Sequence, residues 1–477
     1  MKKKIYLIQP TYPNRDGQLF KCESLYIYSL ALPALSAAIP FDWEKDFCLE
    51  CFEDVNYKTD ASVIGISSMG YDILHGYEIA KEFKRKGKIV LFGGPQVHFD
   101  QNRLNSVCDS TIYGHPGPED MARILDDIEA GRLDSKYHCD TDINFPFDYS
   151  VFTNKRIQFM PVLASVGCQN QCEFCCTAAI YNGRYRLRRI ESVFADLRVI
   201  SRRTRNAVFV DANIYNNREY LLQLCSHIIK GNLRLRWGAQ STIDIGEDQE
   251  ALHLLKKAGC KILFIGFETI NQSNLDGFGK PYCVERYPEL IQWIRKAGLS
   301  VAGFFMLGLE GDKSSTFGAL FDFIHKTRIS VPILNLLLPA PGTKIFDRLT
   351  KENRLLIQNE EDFLPISLLN KTACNQCFFI PKHLSIEEAE TKFLDLGRKL
   401  SSLKEIFRRS FVLDPLLSVA LFSMNVNLRK DFRAMAMTRG EESFHRFPML
   451  GIEGNKLRGQ RVNSFLLKPS LPAAKPI

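Results

Sequence analysis

The chain has 477 residues, enough for two or three domains, because single hydrophobic cores stop growing well below this length. Hydrophobic residues make up 45% and charged residues 24%, the balance of an ordinary soluble globular protein, and no apolar run approaches the roughly 18 residues of a membrane span. The net charge is +8, with ten Lys/Arg against four Asp/Glu between residues 428 and 477; interspersed Gly, Pro and acidic residues make that stretch read as a solvated tail, and it names no nucleic-acid partner.

The first residues, Met1 to Gln9, are basic and then briefly apolar, and Pro10 ends the run, so they read as a buried strand and not as a signal peptide. A cytoplasmic location is expected, and in a reducing compartment fourteen cysteines are not a disulfide framework. Residues 29–38 look helical, residues 62–67 are a β-branched buried strand, and 71–86 have amphipathic helical spacing with Gly87 as a cap. Strand 88–92 runs into Gly93-Gly94-Pro95; strand 111–113 precedes a Gly/Pro turn and a helix at 118–129. Strands that end in glycine-rich turns before helices imply an open parallel sheet of the flavodoxin or Rossmann type. The polar segment 134–149 is the expected domain boundary.

From 161 to about 349 the alternation is regular. Strands are expected at 161–167, 207–214, 235–243, 261–269, 299–308 and 331–338, with helices at 191–204, 217–230, 248–259, 284–297 and 313–327. Six β/α repeats suggest a partial barrel of the TIM type, with functional groups at the carboxyl ends of its strands. Beyond 343 the sequence reads as mainly helical, notably 385–411, and the apolar stretch 411–422 reads as core, with an apolar substrate or peripheral membrane contact as the alternative.

The most informative stretch is Cys168-Gln-Asn-Gln-Cys172-Glu-Phe174-Cys175-Cys176, directly after the first barrel strand. Three thiolates at this spacing can hold three irons of a [4Fe-4S] cube and leave the fourth iron open to a substrate. Zinc would need a fourth ligand, and Cys176 is a candidate only if two adjacent residues of a tight loop can aim at one ion. The pairs Cys48/Cys51 and Cys374/Cys377 have metal-compatible spacing but adjoin apolar runs and read as structural. His75 and His115 are lone histidines without companion ligands.

Cys168-x3-Cys172-x2-Cys175, with Phe174 before the last cysteine, resembles the signature of the radical S-adenosylmethionine superfamily. Segments at the other strand ends agree: Phe209-Val-Asp211-Ala-Asn213, Trp237-Gly-Ala-Gln240, Ile265-Gly-Phe-Glu268 and Phe305-Met-Leu-Gly308. Together they are similar to the subgroup with an N-terminal cobalamin-binding domain, over about residues 1–400. The resemblance implies a cobalamin-binding-like domain over 1–140, a radical partial barrel over 158–350 and a helical region with a basic tail over 351–477. It further implies a cluster on Cys168, Cys172 and Cys175 beside Phe174, with S-adenosylmethionine cleaved to a 5′-deoxyadenosyl radical. Asp211 would accept from the methionyl ammonium, and Gln240 and Glu268 would meet the carboxylate or ribose. Ser67, Ser68, Met69, Gly93, Gly94, Pro95, Gln96, Tyr113 and Gly114 lie where such domains meet the corrin, the glycines allowing close approach to a flat ligand. The Asp-x-His-x-x-Gly cobalt-ligand motif of the cobalamin-binding family is absent, as in many members of the subgroup, which argues for a cobalt without a lower histidine ligand, the alternative being a domain that keeps the fold but has lost cobalamin. The expected activity is methylation of an unactivated carbon in a small-molecule, lipid or peptide substrate, with flavodoxin or ferredoxin as electron donor. The competing readings are radical cyclisation, rearrangement or carbon–carbon bond formation without methyl transfer, and a non-enzymatic iron–sulfur carrier or sensor.

Overall fold

The computed structural model describes residues 2–13, 18–25, 27–98, 101–139, 143–356 and 377–440. Six strands, β1 (Lys4–Gln9), β2 (Glu44–Leu49), β3 (Val63–Ser67), β4 (Ile89–Gly93), β5 (Ser110–Gly114) and β6 (Lys136–Cys139), form a parallel sheet in the order β2-β1-β3-β4-β5-β6. Helices α1 (Ala31–Ala38), α2 (Ile73–Arg85), α3 (Gln101–Val107) and α4 (Pro118–Glu129) cover it. The period-two alternation of β1 divides the labour: Tyr6 and Ile8 join the core under α2 and α3, and Ile5 and Leu7 join the core on the opposite face. Strand β6 falls inside the polar segment expected as the domain boundary. Its Tyr137 and Cys139 are buried while Lys136 and His138 are exposed, an alternation that the surrounding polar residues hide.

The second unit contains β7 (Met160–Val162), β8 (Ser165–Gly167), β9 (Tyr185–Leu187), β10 (Asn206–Phe209), β11 (Arg236–Ser241), β12 (Cys260–Glu268), β13 (Ser300–Leu307) and β14 (Val331–Leu336). Six of them form the parallel sheet β7-β10-β11-β12-β13-β14, each strand beside its predecessor, while β8 and β9 pair as a separate antiparallel ribbon. The strand expected at 161–167 is thus two strands. The carboxylate of Asp211 accepts from the Ala164 backbone N–H at 3.1 and 3.2 Å, which removes that group from the ladder and turns the chain out of the sheet. The helices are α5 (Cys176–Tyr181), α6 (Ile190–Arg203), α7 (Arg218–Lys230), α8 (Gln249–Lys257), α9 (Gln272–Gly277), α10 (Tyr287–Lys296) and α11 (Ser314–Thr327). Leu263, Ile265 and Phe267 of β12, with Phe305 and Leu307 of β13, are buried under this helical layer. Phe264, Gly266, Glu268, Phe304 and Met306 alternate with them, are only partly buried, and form the opposite, inner face of the partial barrel.

Two further features join these parts. The core under Ile5 and Leu7 continues through Phe147, Tyr149 and Phe152 into the α6 side chains Val193 and Leu197, so both sheets share one apolar cluster. Within it, Arg188 and Asp196 form an ion pair at 2.8 Å with both side chains 0% exposed.

After the barrel come α12 (Lys344–Lys351), α13 (Ile386–Leu400), α14 (Leu403–Ser410) and α15 (Pro415–Gly440). The helix expected at 385–411 is two helices because Ser402 caps a fresh start, accepting from the Glu405 N–H. Helix α15 crosses the inner barrel face: its Leu421 packs with Ile262, Ala302 and Val331, and Asn425 Nδ2 donates to the Ser330 carbonyl at 2.9 Å. The stretch 411–422, expected as core, is divided. Leu417 and Leu421 pack inward, but Phe411, Leu416 and Val419 are 66%, 60% and 68% exposed. No helix of the described residues is long and apolar enough to cross a membrane. Cys374 and the tail beyond residue 440 lie outside the described residues.

Candidate functional site

The three cysteines occupy one loop that leaves β8, a ribbon strand at the carboxyl end of the barrel, and returns through α5 to β9. Cys168 is buried, and Cys172 and Cys175 are partly buried. Burial pushes the Cys172 thiol up to about 11 while neighbouring Lys280 opposes the shift, so iron binding there must displace a proton. Among the described residues no three His, Cys, Asp or Glu side chains converge as ligands of a single metal ion. A cube does not need them to, because each cysteine binds a different iron.

The loop is held from outside. Arg348 of α12 reaches Glu173 with Nε at 2.7 Å and Nη2 at 3.3 Å, and the Ile345 N–H donates to the Glu173 carbonyl. Phe174 meets Phe278 edge-on, ring centroids 4.8 Å apart, and Lys280 Nζ lies 5.9 Å from the Phe174 centroid. Lys280 in turn donates to Glu268 Oε1 at 2.8 Å and to the Gly266 carbonyl at 3.0 Å. Glu268 ends β12 with φ +63°, an uncommon conformation for a residue with a side chain and one that collects at functional strand ends. Cys172, Phe174 and Glu268 are therefore gathered at one point by a lysine whose lone position in sequence carried no signal.

Other candidates fall elsewhere. Asp211 is buried beneath the ribbon, and its oxygens accept from the Ala164 N–H and, at 2.6 Å, from Ser165 Oγ. Burial holds the acid up to about 6, and its oxygens serve the turn between β7 and β8. Gln240 is exposed near the end of β11, in an alternation register with Gly238 on the inner face. Asn216 donates to Cys168 Sγ at 3.6 Å.

At the carboxyl ends of the N-terminal sheet, Ser67 and Ser68 are buried, Pro95 and Gly114 are exposed, and Met69 is 46% exposed. Two of the glycines there are required by the fold itself. A Cβ on Gly94 (φ +108°) would stand 2.1 Å from the Ser68 carbonyl oxygen, and one on Gly114 (φ +85°) 2.1 Å from the Cys139 oxygen. They are required by neighbouring backbone, while Gly93 has ordinary contacts. The buried Tyr113 hydroxyl and Gln9 Oε1 have no hydrogen-bond partner among the described residues. No side-chain placement is described for Gln96. His115 Nε2 pairs with the Tyr181 hydroxyl of α5 at 2.6 Å, tying this sheet to the cluster loop, and His75 Nε2 pairs with Glu50 at 2.9 Å. Cys48 and Cys51 are buried, and desolvation pushes both thiols up to about 12, as expected of structural cysteines.

Residues 162–324 match the profile of the Radical SAM superfamily. The hopanoid C-2 methylase of Rhodopseudomonas palustris (strain TIE-1) is 32% identical over 375 residues, 74% of this chain and 69% of that protein. The bacteriochlorophyllide d C-12(1)-methyltransferase of Chlorobaculum tepidum is 28% identical, over 73% of this chain and 76% of its own length. Among solved structures, the radical S-adenosylmethionine methyltransferase TsrM from Kitasatospora setae superposes with a TM-score of 0.69 at 14% identity, covering 92% of this chain and 100% of that one. The shared length with the hopanoid enzyme, the matched profile and the cysteine loop on a parallel β/α sheet lead to one statement: this chain belongs to the radical SAM superfamily.

Proposed function

We propose that this protein is a cobalamin-dependent radical S-adenosylmethionine methyltransferase that adds a methyl group to an unactivated carbon of a small molecule. The observation that carries the reading is that the match to relatives named as methyltransferases is not confined to the barrel. It spans 73% and 74% of the chain, more than the second unit alone contains. The solved structure that covers 92% of the chain was determined with cobalamin and a [4Fe-4S] cluster bound.

In this reading Cys168, Cys172 and Cys175 would hold the cluster, and Phe174, Lys280 and Glu268, gathered beside Cys172, would help hold S-adenosylmethionine. When bound, a reduced cluster would supply the electron for cleavage of S-adenosylmethionine to a 5′-deoxyadenosyl radical, and cobalamin would carry the methyl group. The protein's own work is placement. Lys280 neutralises and orients Glu268, Arg348 fixes the cluster loop through Glu173, and Met69 with the ends of β3 to β5 offers a surface to the corrin. The first sheet, 1–140, is accordingly the cobalamin unit, 158–350 the radical unit, and the following helices close the inner face. The named substrates of the relatives, a bacteriochlorophyllide and hopanoids, support a largely apolar substrate, as do Phe304 and Met306 on the inner face. A low-potential one-electron donor completes the system.

The test is anaerobic reconstitution with iron, sulfide and cobalamin, followed by S-adenosylmethionine and dithionite. Corrinoid bands beside the broad iron–sulfur absorption, with both 5′-deoxyadenosine and S-adenosylhomocysteine as products once substrate is supplied, are expected. 5′-Deoxyadenosine without S-adenosylhomocysteine would select radical chemistry without methyl transfer, and neither product would sink the proposal.

A further inference from the structure

The loop after β10 reads Asn213-Ile-Tyr215-Asn216-Asn217, and its asparagines have separate duties. Asn217 caps α7, accepting from the Tyr220 N–H at 2.9 Å. The other two form a chain whose polarity is fixed at one end. The Tyr215 backbone N–H, which can only donate, points at Asn213 Oδ1 at 3.0 Å. Asn213 Nδ2 must then face the other way, and it donates to Asn216 Oδ1 at 3.0 Å and to Thr242 Oγ1 at 3.2 Å. Because Asn216 Oδ1 is an acceptor, its amide nitrogen is turned to Cys168 Sγ at 3.6 Å, with the oxygen farther off at 4.0 Å. Asn213 is 5% exposed, so water does not compete for its orientation.

We infer that Tyr215, Asn213 and Asn216 form an orienting relay that presents a fixed N–H donor to the Cys168 ligand sulfur and thereby raises the reduction potential of the cluster. The inference rests on the cluster assignment made above. Reduction adds one electron, taken from the external donor, and part of the added negative charge resides on the cysteine sulfurs. A donor aimed at such a sulfur stabilises the reduced state more than the oxidised one. Asn216 and Asn213 act through Cys168 and are positioning residues. An amide free to turn over would present its oxygen instead and act in the opposite direction; Asn213, three residues upstream, fixes the orientation.

The experiment is a mediated potentiometric titration, read by electron paramagnetic resonance, of the anaerobically reconstituted full chain and two variants matched for iron content. Asn216→Ala is expected to make reduction about tenfold less favourable, about 59 mV more negative for one electron. Asn213→Asp leaves Asn216 in place but offers it an acceptor. The Asn216 amide turns over, its oxygen faces the sulfur, and the shift is in the same direction and at least as large. Unchanged potentials in either variant at full iron content overturn the relay. If a variant retains no cluster, the native protein decides. With asparagine labelled at the side-chain nitrogen, a hyperfine coupling to the reduced cluster is expected, and its absence overturns the relay. A native chain that binds no iron–sulfur cluster overturns the cluster assignment itself, so the two failures are distinguishable.

Discussion

Replacing Arg188 by Met tests whether the two sheets are joined through a buried charge. Arg188 Nε donates to the Ile143 carbonyl at 3.0 Å, Nη1 to the Leu163 carbonyl and to Asp196 at 2.8 Å each, and Nη2 to the Phe145 carbonyl at 2.5 Å. The guanidinium also lies 3.8 Å from the Phe147 ring centroid. Arg188→Met fills similar volume but leaves Asp196 charged and without its ion-pair partner where both side chains are 0% exposed. The expected loss is about 3–5 kcal/mol, a large part of an ordinary folding free energy. The loss depends on pH. Burial already pushes Asp196 up to about 6 against the pull of Arg188, and without the arginine its folded value rises further. A carboxyl with a raised folded pKa is tolerated protonated and penalised ionised, so the defect is small near about pH 5 and full near about pH 8. Arg188→Met with Asp196→Asn removes the charge while Asn still accepts from the Phe147 N–H, and it recovers part of the loss. Urea midpoints of the single and double variants at both pH values supply the measurement. A defect under about 1 kcal/mol at high pH, or one unchanged by acid, would refute the reasoning.

Arg348→Ala, which releases Glu173 of the cluster loop, is expected to cost about 1 kcal/mol because the pair is partly exposed, and to accelerate iron loss to a chelator; Arg348→Lys, unable to reproduce the fork, recovers little. Gly94→Ala places a Cβ against the Ser68 carbonyl at φ +108°, and strain alone should remove about 1–3 kcal/mol, read as a lower thermal midpoint. Asp211 holds its proton up to about 6 in the folded chain, above the usual 3.8, so its contribution is present below about pH 4 and lost as pH rises through 6. Asp211→Asn should flatten that limb of the stability profile and leave S-adenosylmethionine affinity intact; lost affinity with an unchanged profile would return Asp211 to the ligand.

The β/α alternation and the cysteine loop were legible in sequence because each is written in local spacing. What local spacing could not supply was the fate of Ala164. Strand 161–167 breaks because of a carboxylate 47 residues away, and the same contact engages Asp211 in the turn. Strand β6 was concealed by a polar exposed face, although its buried Tyr137 and Cys139 carried the period. Lys280 and Arg348 reach the cluster loop from α9's exit and α12, more than a hundred residues downstream, so nothing near the cysteines announces them. Asn213 stands in a strand end quoted from the sequence, but its orientation and that of Asn216 depend on which N–H each side-chain oxygen meets.

Helix α15 also imposes an order on biosynthesis. The inner face around Ile262, Ala302 and Val331 is made well before the residues that cover it, Val412, Leu417, Leu421 and Leu428. While the chain emerges, this apolar wall and the strand edge beyond β14 stand open to solvent and to other nascent chains, the condition in which parallel sheets aggregate. Slowing translation before codon 412 should therefore lower soluble yield more than slowing it after codon 428, even though the cysteine loop and every strand of the barrel are complete in both cases.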